Sequence, residues 1–287
     1  MGACHAIVML WLHSDMKRCF QGEDVFQEIF AREGKVVRHK EGRKTFRFEF
    51  EGKAYYAKAH AGIGWSEIFK NLITFKWPVI DASNEWHAIR RLNQVGVPTA
   101  ELVGYGARGW NPARRQSFVL MRELKEQVEL EAFFLRMGGL TGRRRMALKR
   151  ELIKKVAEIT RHLHGAGINH RDLYLCHYQI EDRDWDKWSV EQPIKVALLD
   201  LHRAQTRATV PRRWLIKDLG ALLYSSMGKG VNNGDILTFV ETYSGSAGRE
   251  FLSTHRKLCR KVIARAQAFC IKHHGARLDR PGSIIKI

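Results

Sequence analysis

Four residues could together move a phosphoryl group: Lys58 in "KAYYAKAH" (53–60), Glu85 in "SNEWHAIRRLNQVG" (83–96), Asp172 in "INHRDLYLCHYQI" (168–180) and Asp200 closing "KVALLD" (195–200). Transfer from ATP needs a cation on the phosphates, a divalent ion held by carboxylate, and a base that orients the acceptor hydroxyl. Each requirement has a candidate, in the order in which a kinase would present them. Singly, each residue has a plainer reading. Lys58 suits an edge strand, Glu85 an exposed helix face, Asp200 a strand-end turn, and Asp172 a loop whose backbone N–H groups it caps. The plainer readings do not explain the order, with Lys and Glu in a strand-rich half and both Asp residues after a long helix. A zinc grouping of His170, Cys176 and His177 is weaker, because no second Cys/His pair lies at structural-site spacing.

The elements that must position these residues follow from the pattern of apolar positions. "KVVRHK" (35–40), "RKTFRFEF" (43–50) and "KAYYAKAH" (53–60) are β-prone runs separated by Glu-Gly at 41–42 and 51–52, the signature of an antiparallel meander. "AGIGWSEIFKNLITFKWP" (61–78) reads as a loop, 83–96 as a Ser-capped helix stopped by glycine, and 100–107 and 116–124 as two more strands. The second half is mainly helical. Over 143–167, Leu148, Leu152, Val156, Ile159 and Leu163 recur at steps of 4, 4, 3 and 4, one face of a core helix. Short strands are expected at 178–181 and 195–200, and helices at 211–227, 234–244 and 249–274. The class is α+β and bilobal: a lead-in over 1–33, a β-rich N-lobe over 34–125 and a helical C-lobe over 126–287, with the site expected in the cleft between lobes.

Composition narrows the partners. Of 287 residues, 45% are hydrophobic and 28% charged, a globular balance; 49 Lys+Arg against 30 Asp+Glu leave a net charge of +19. Such an excess suits nucleic acid, an anionic membrane surface or a phosphorylated substrate. No RNA- or DNA-binding signature accompanies it, which disfavours nucleic acid. Five cysteines without C-x-x-C spacing point to a reducing cytoplasm. The apolar run in "MGACHAIVMLWLHSDMKR" lacks a charged leader and is too short to span a bilayer. Residues 1–15 are expected to form a flexible tail, or to precede a working start at Met16. No long uncharged run occurs elsewhere, so a soluble or peripheral protein is expected.

Several segments carry a family resemblance: "INHRDLYLCHYQI", "LLDLHRAQTR", "KDLGALLYS", "GIGWSEIFKNL" and "EWHAIRRL". From about Gly34 to Met227, and more loosely to the end, the chain resembles the bacterial lipopolysaccharide core heptose(I) kinases, whose fold is protein-kinase-like. The resemblance implies transfer of the ATP γ-phosphoryl group to O4 of the first inner-core heptose, with Mg²⁺, at the cytoplasmic face of the Gram-negative inner membrane. It implies that Lys58 contacts the α- and β-phosphates, that Glu85 holds its ammonium, and that Asp172 accepts or orients the hydroxyl proton. It further implies that Asp200 holds Mg²⁺, that Asp218 buttresses the catalytic loop, and that His170 and Arg171 support it.

His177 stands where protein kinases carry a second metal-binding Asn. Either His177 takes that role, or Gln179 does, or Asp200 holds the ion with waters. No G-x-G-x-x-G loop occurs; only Gly42 is available, so phosphate cover falls to backbone N–H groups and Arg43 or Lys44. The 60–78 segment, with Gly62, Gly64 and Trp65, has no counterpart in generic kinases and suits an acceptor-binding or interfacial loop. An acyl carrier protein is implied as a partner, and an anionic membrane would attract each nearby Lys or Arg by about 1 kcal/mol. Related kinases acting on Kdo or on protein tyrosine are the alternatives, and a basic nucleic-acid binder the remote one.

Overall fold

The computed structural model describes residues 8–40, 42–73, 78–137, 142–183, 185–189 and 191–274. The chain divides into two compact units: residues 1–90, 100–124 and 201–203 form one, and 91–99, 125–200 and 204–287 the other.

The first unit is built on one antiparallel sheet. Its strands are β1 (Val8–Leu12), β2 (Lys35–Lys40), β3 (Arg43–Phe50), β4 (Lys53–His60), β5 (Leu102–Arg108) and β6 (Gln116–Arg122), in the order β1-β5-β6-β4-β3-β2. The expected meander is β2-β3-β4. Glu51 and Gly52 both have positive φ (48° and 69°), the backbone that a two-residue hairpin requires; Glu41 of the other turn lies outside the described residues. Helices α1 (Ser14–Cys19) and α2 (Val25–Ala31) cover one sheet face. Asp24 caps α2 through the Phe26 and Gln27 amides. Met16, Phe20, Phe26 and Ile29 are buried with Phe46, Phe48, Tyr55, Phe118 and Leu120. Each such side chain contributes roughly 1.5–3 kcal/mol.

Two expectations fail in this unit. Residues 8–12 are no flexible tail: Val8–Leu12 pair with Leu12↔Gly104 through Val8↔Arg108 along β5, and Met16 is fully buried. Segment 61–78 is no simple loop: Gly64–Ile73 forms helix α3. Its two glycines serve the entry turn rather than breaking the element. Gly62 has φ +96°, and a Cβ there would lie 2.6 Å from the Ala113 carbonyl. Residues 74–77 lie outside the described residues. Helix α4 (Ser83–Gln94) follows where expected, but Ser83 is its first residue rather than its cap, and Asp81 Oδ1 accepts the Ser83 amide at 2.9 Å.

The second unit holds β7 (Gln127–Glu129), α5 (Leu130–Arg136), α6 (Gly142–Gly165), β8 (Ile168–Asn169), β9 (Tyr178–Glu181), β10 (Val196–Leu198), β11 (Gln205–Thr206), α7 (Arg212–Ser226), α8 (Asn233–Ser244), α9 (Gly248–Thr254) and α10 (Arg256–His274). The expected stripe of α6, from Leu148 to Leu163, is buried throughout. Small antiparallel ladders, β7-β9-β10 and β8-β11, bracket residues 170–177. The helix expected over 249–274 breaks at His255, because the Ser253 and Thr254 hydroxyls bond the Glu250 carbonyl and compete with helix continuation. An apolar cavity of about 150 Å³ lies among α6, α7, α8 and α10, lined by Leu219, Leu223, Phe239 and Val262 among others. No described helix is long and apolar enough to cross a membrane. The α+β class and the strand-first, helix-later order agree with the sequence reading.

Candidate active site

In the first unit, β4 presents Lys58 between Thr45 and Val119 of the neighbouring strands. Its Nζ donates to Glu85 Oε1 at 2.7 Å, and Glu85 is buried. A buried carboxylate without its cation would be strongly disfavoured, so the pair is held as a pair. Helix α4 carries Glu85 in its first turn, and two contacts seat that turn. Ser117 Oγ accepts the Ala82 amide at 3.0 Å, and the Trp86 ring stacks on Tyr105 at 4.7 Å. Beside them, burial and the Arg43 charge push the His60 imidazole down to about 3. Arg43 and Lys44, expected over phosphates, are engaged with the protein instead. Arg43 donates to the Val79 carbonyl; Lys44 donates to the Arg32 carbonyl at 3.3 Å and lies over the Phe46 ring.

In the second unit, the loop after β8 is fixed by Asp218, which α7 places in the interior with no exposed surface. Its two carboxylate oxygens accept the His170 amide at 2.7 Å and the Arg171 amide at 2.9 Å. The bonds hold Arg171 in the left-handed region (φ +73°), a conformation costing a non-glycine residue about 1–2 kcal/mol. Farther along, Ser225 Oγ accepts the Leu175 amide at 2.8 Å. The loop between these anchors presents Asp172.

The imidazoles settle two tautomers. His170 is buried, and its Nε2 donates to the Leu199 carbonyl at 3.0 Å; burial and the neighbouring His177 push its proton affinity down. The His177 ring stacks on it at 5.2 Å. His177 Nδ1 donates to the Asp172 carbonyl at 2.7 Å, which turns Nε2 toward Asp200, 3.6 Å from its Oδ2. Asp200 has φ +59°, and the Leu199 amide donates to the His177 carbonyl at 2.9 Å, so the two ends of this pairing are tied through backbone. A carboxylate beside an imidazole nitrogen can hold a divalent ion while leaving positions for phosphate oxygens and water. Gln179 lies in β9 opposite Ala197 and Glu129. Among the described residues no three Cys, His or carboxylate side chains form a metal cage, so His170, Cys176 and His177 make no zinc site; burial pushes the Cys176 thiol up to about 11.

One residue escaped the sequence reading. Lys217 Nζ lies 3.7 Å from Asp172 Oδ1 and over the Trp214 ring. Its only signal was adjacency to Asp218 in "KDLGALL". Gly62, Gly64 and Trp65 belong to the entry and first turn of α3, where Trp65 stacks on Phe69 at 5.8 Å.

A model of the lipopolysaccharide kinase (Kdo/WaaP) family matches residues 27–243. The lipopolysaccharide core heptose(I) kinase WaaP of Pseudomonas aeruginosa is 44% identical over 243 residues, 85% of this chain and 89% of that protein. WaaP of Escherichia coli K12, also a lipopolysaccharide core heptose(I) kinase, is 39% identical over 259 residues, 90% of this chain and 96% of that protein. A solved structure of WaaP in complex with acyl carrier protein superposes with a TM-score of 0.77 at 36% identity, covering 91% of this chain and 98% of that one. Identity of this depth, sustained across nearly the whole of each relative and matched by a shared backbone, makes the chain a member of the lipopolysaccharide kinase (Kdo/WaaP) family.

Proposed function

We propose that the chain is a lipopolysaccharide core heptose(I) kinase, transferring the γ-phosphoryl group of ATP to O4 of the first inner-core heptose. The observation that carries this reading is the Asp172 loop, pinned by the buried Asp218 carboxylate and bearing a carboxylate beside the Lys217 ammonium. The Asp172 carboxylate accepts the proton as the heptose oxygen forms its bond to the γ-phosphorus and the bond to the β-bridging oxygen breaks. Lys217 orients that carboxylate. Lys58, held by Glu85, binds the α- and β-phosphates. Asp200 and His177 Nε2 are the residues that would hold Mg²⁺, an ion that neutralises charge on the phosphate oxygens when bound. His170 and Arg171 act as loop supports.

The relatives' names favour heptose over Kdo or tyrosine as acceptor. The test is the mass of the sugar product from delipidated inner core, with and without heptose. One phosphate added only to the heptose-bearing acceptor supports the reading; a phosphorylated Kdo overturns it.

The partners follow from the same membership. The solved relative's complex supports an acyl carrier protein as a partner, and a net charge of +19 suits that acidic carrier. The apolar cavity in the helical unit has the chemistry of a hydrocarbon site. An acceptor borne on lipid A places the enzyme at the cytoplasmic face of the inner membrane, as a peripheral protein. Nucleic acid has no part in this scheme.

A further inference from the structure

Helix α3 buries little of its apolar stripe. Ile68 packs with Ile63 and Ala113, while Trp65, Phe69, Leu72 and Ile73 face solvent, Ile73 at 77% exposure. At 100° per residue, Trp65, Phe69, Leu72 and Ile73 fall within one sector of the helix, with Glu67 and Asn71 on the other side. A second segment, bonded to the start of the helix, carries a further exposed aromatic. The Gly64 amide donates to the Ala113 carbonyl at 3.0 Å, and the 109–115 turn joined there carries Trp110, 73% exposed. Exposed Lys70 and Arg114 supply positive charge on the helix and on the turn. Monomeric proteins seldom leave so many large apolar side chains together in water.

We propose that α3 and the 109–115 turn form a membrane-docking surface that inserts its aromatic and aliphatic side chains at the headgroup boundary of an anionic phospholipid bilayer. Three features commit the patch to that occupant. A helix with an exposed Trp/Phe/Leu/Ile face lies in a bilayer interface rather than across it. Tryptophans gather where an apolar phase meets a wet one. The flanking cations, on a chain of net charge +19, complement anionic headgroups. Gly62, which no Cβ could replace without meeting the Ala113 carbonyl, lets the helix start pack directly on the turn. The proposal assigns Trp65 to the membrane rather than to the acceptor. It rests on the lipopolysaccharide-kinase reading for which membrane is met, while the chemistry of the patch stands on these residues alone.

Co-sedimentation of the full chain with vesicles tests it, and needs neither ATP nor heptose. Wild type should pellet with phosphatidylethanolamine–phosphatidylglycerol vesicles and stay in solution with phosphatidylcholine. Phe69→Ser/Ile73→Ser should lower partitioning by at least about tenfold, and Trp110→Ser alone by a smaller factor in the same direction. Phosphorylation of a water-soluble delipidated acceptor by both variants should equal wild type, which separates loss of docking from loss of folding or of chemistry. Unchanged partitioning in the double variant overturns the proposal, as does a change of oligomeric state in that variant with vesicle binding intact. A chain that binds vesicles through this patch yet phosphorylates no heptose would overturn the kinase reading and leave the docking surface standing.

Discussion

Replacing Asp218 by Asn asks how much one buried carboxylate holds in place. Asp218 has no exposed surface and accepts two backbone amides, from His170 and Arg171, at 2.7 and 2.9 Å. Asn keeps one acceptor oxygen and turns an NH₂ group toward the other amide. One charge-assisted bond is lost, about 1.5–3 kcal/mol, and two donors are left facing each other in the interior, about 1–3 kcal/mol more. The sum, about 2.5–6 kcal/mol, is a large share of the 5–15 kcal/mol that typically holds a domain together. Part of the loss falls on Arg171, whose left-handed backbone depends on that bond. Urea denaturation should therefore show Asp218→Asn destabilised by about 3 kcal/mol or more. Initial-rate kinetics should show kcat falling while KM for ATP changes little, since Lys58 and Glu85 are untouched. Ser225→Ala, which removes the acceptor of the Leu175 amide, should cost about 1–2 kcal/mol at the other end of the loop. An Asp218→Asn protein within about 1 kcal/mol of wild type, with unchanged kcat, would refute the buttress.

Three further outcomes are expected. His60 takes its proton near pH 6.5 when unfolded but resists it in the fold down to about 3, so stability is fully present above that window and falls as pH drops through it. Between pH 7 and 5 the loss should be about 2 kcal/mol, read by thermal or urea unfolding, and His60→Gln should flatten the curve; buried His170 acts in the same direction. His177→Ala should raise the Mg²⁺ concentration for half-maximal rate by about tenfold, and a wild-type magnesium titration would make His177 purely structural. Lys217→Met should lower kcat by about 10²-fold with little change in folding, and Lys58→Met should impair nucleotide use; a Lys217→Met enzyme with wild-type kcat would remove the cation from the Asp172 pairing.

Local pattern made β2, β3, β4, α4 and α6 legible, because their glycine turns and apolar spacing lie within each segment; the cap expected of Ser83 falls instead to Asp81, whose Oδ1 accepts the Ser83 amide at 2.9 Å. The candidate site residues were picked out for a different reason. Lys58, Glu85, Asp172 and Asp200 were chosen by order along the chain and Asp218 by the family resemblance; the structure joins Lys58 to Glu85 and Asp218 to the loop. Strand β1 was not legible, since its partner β5 lies some ninety residues on and nothing in "VMLWL" announces it. Helix α3 was misread because Gly62 and Gly64 resemble loop residues, although their positive φ belongs to the turn that launches the helix. Arg43 and Lys44 point to protein carbonyls, a choice made by neighbours far along the chain. Lys217 looked like any helix lysine; only the folding of α7 against the Asp172 loop reveals it.

The most direct test is single-turnover phosphoryl transfer by Asp172→Asn, with nucleotide affinity measured on the same preparation. Loss of at least about 10³-fold in rate with ATP affinity retained is the expected result. An Asp172→Asn enzyme that phosphorylates the heptose within tenfold of wild type would contradict the account.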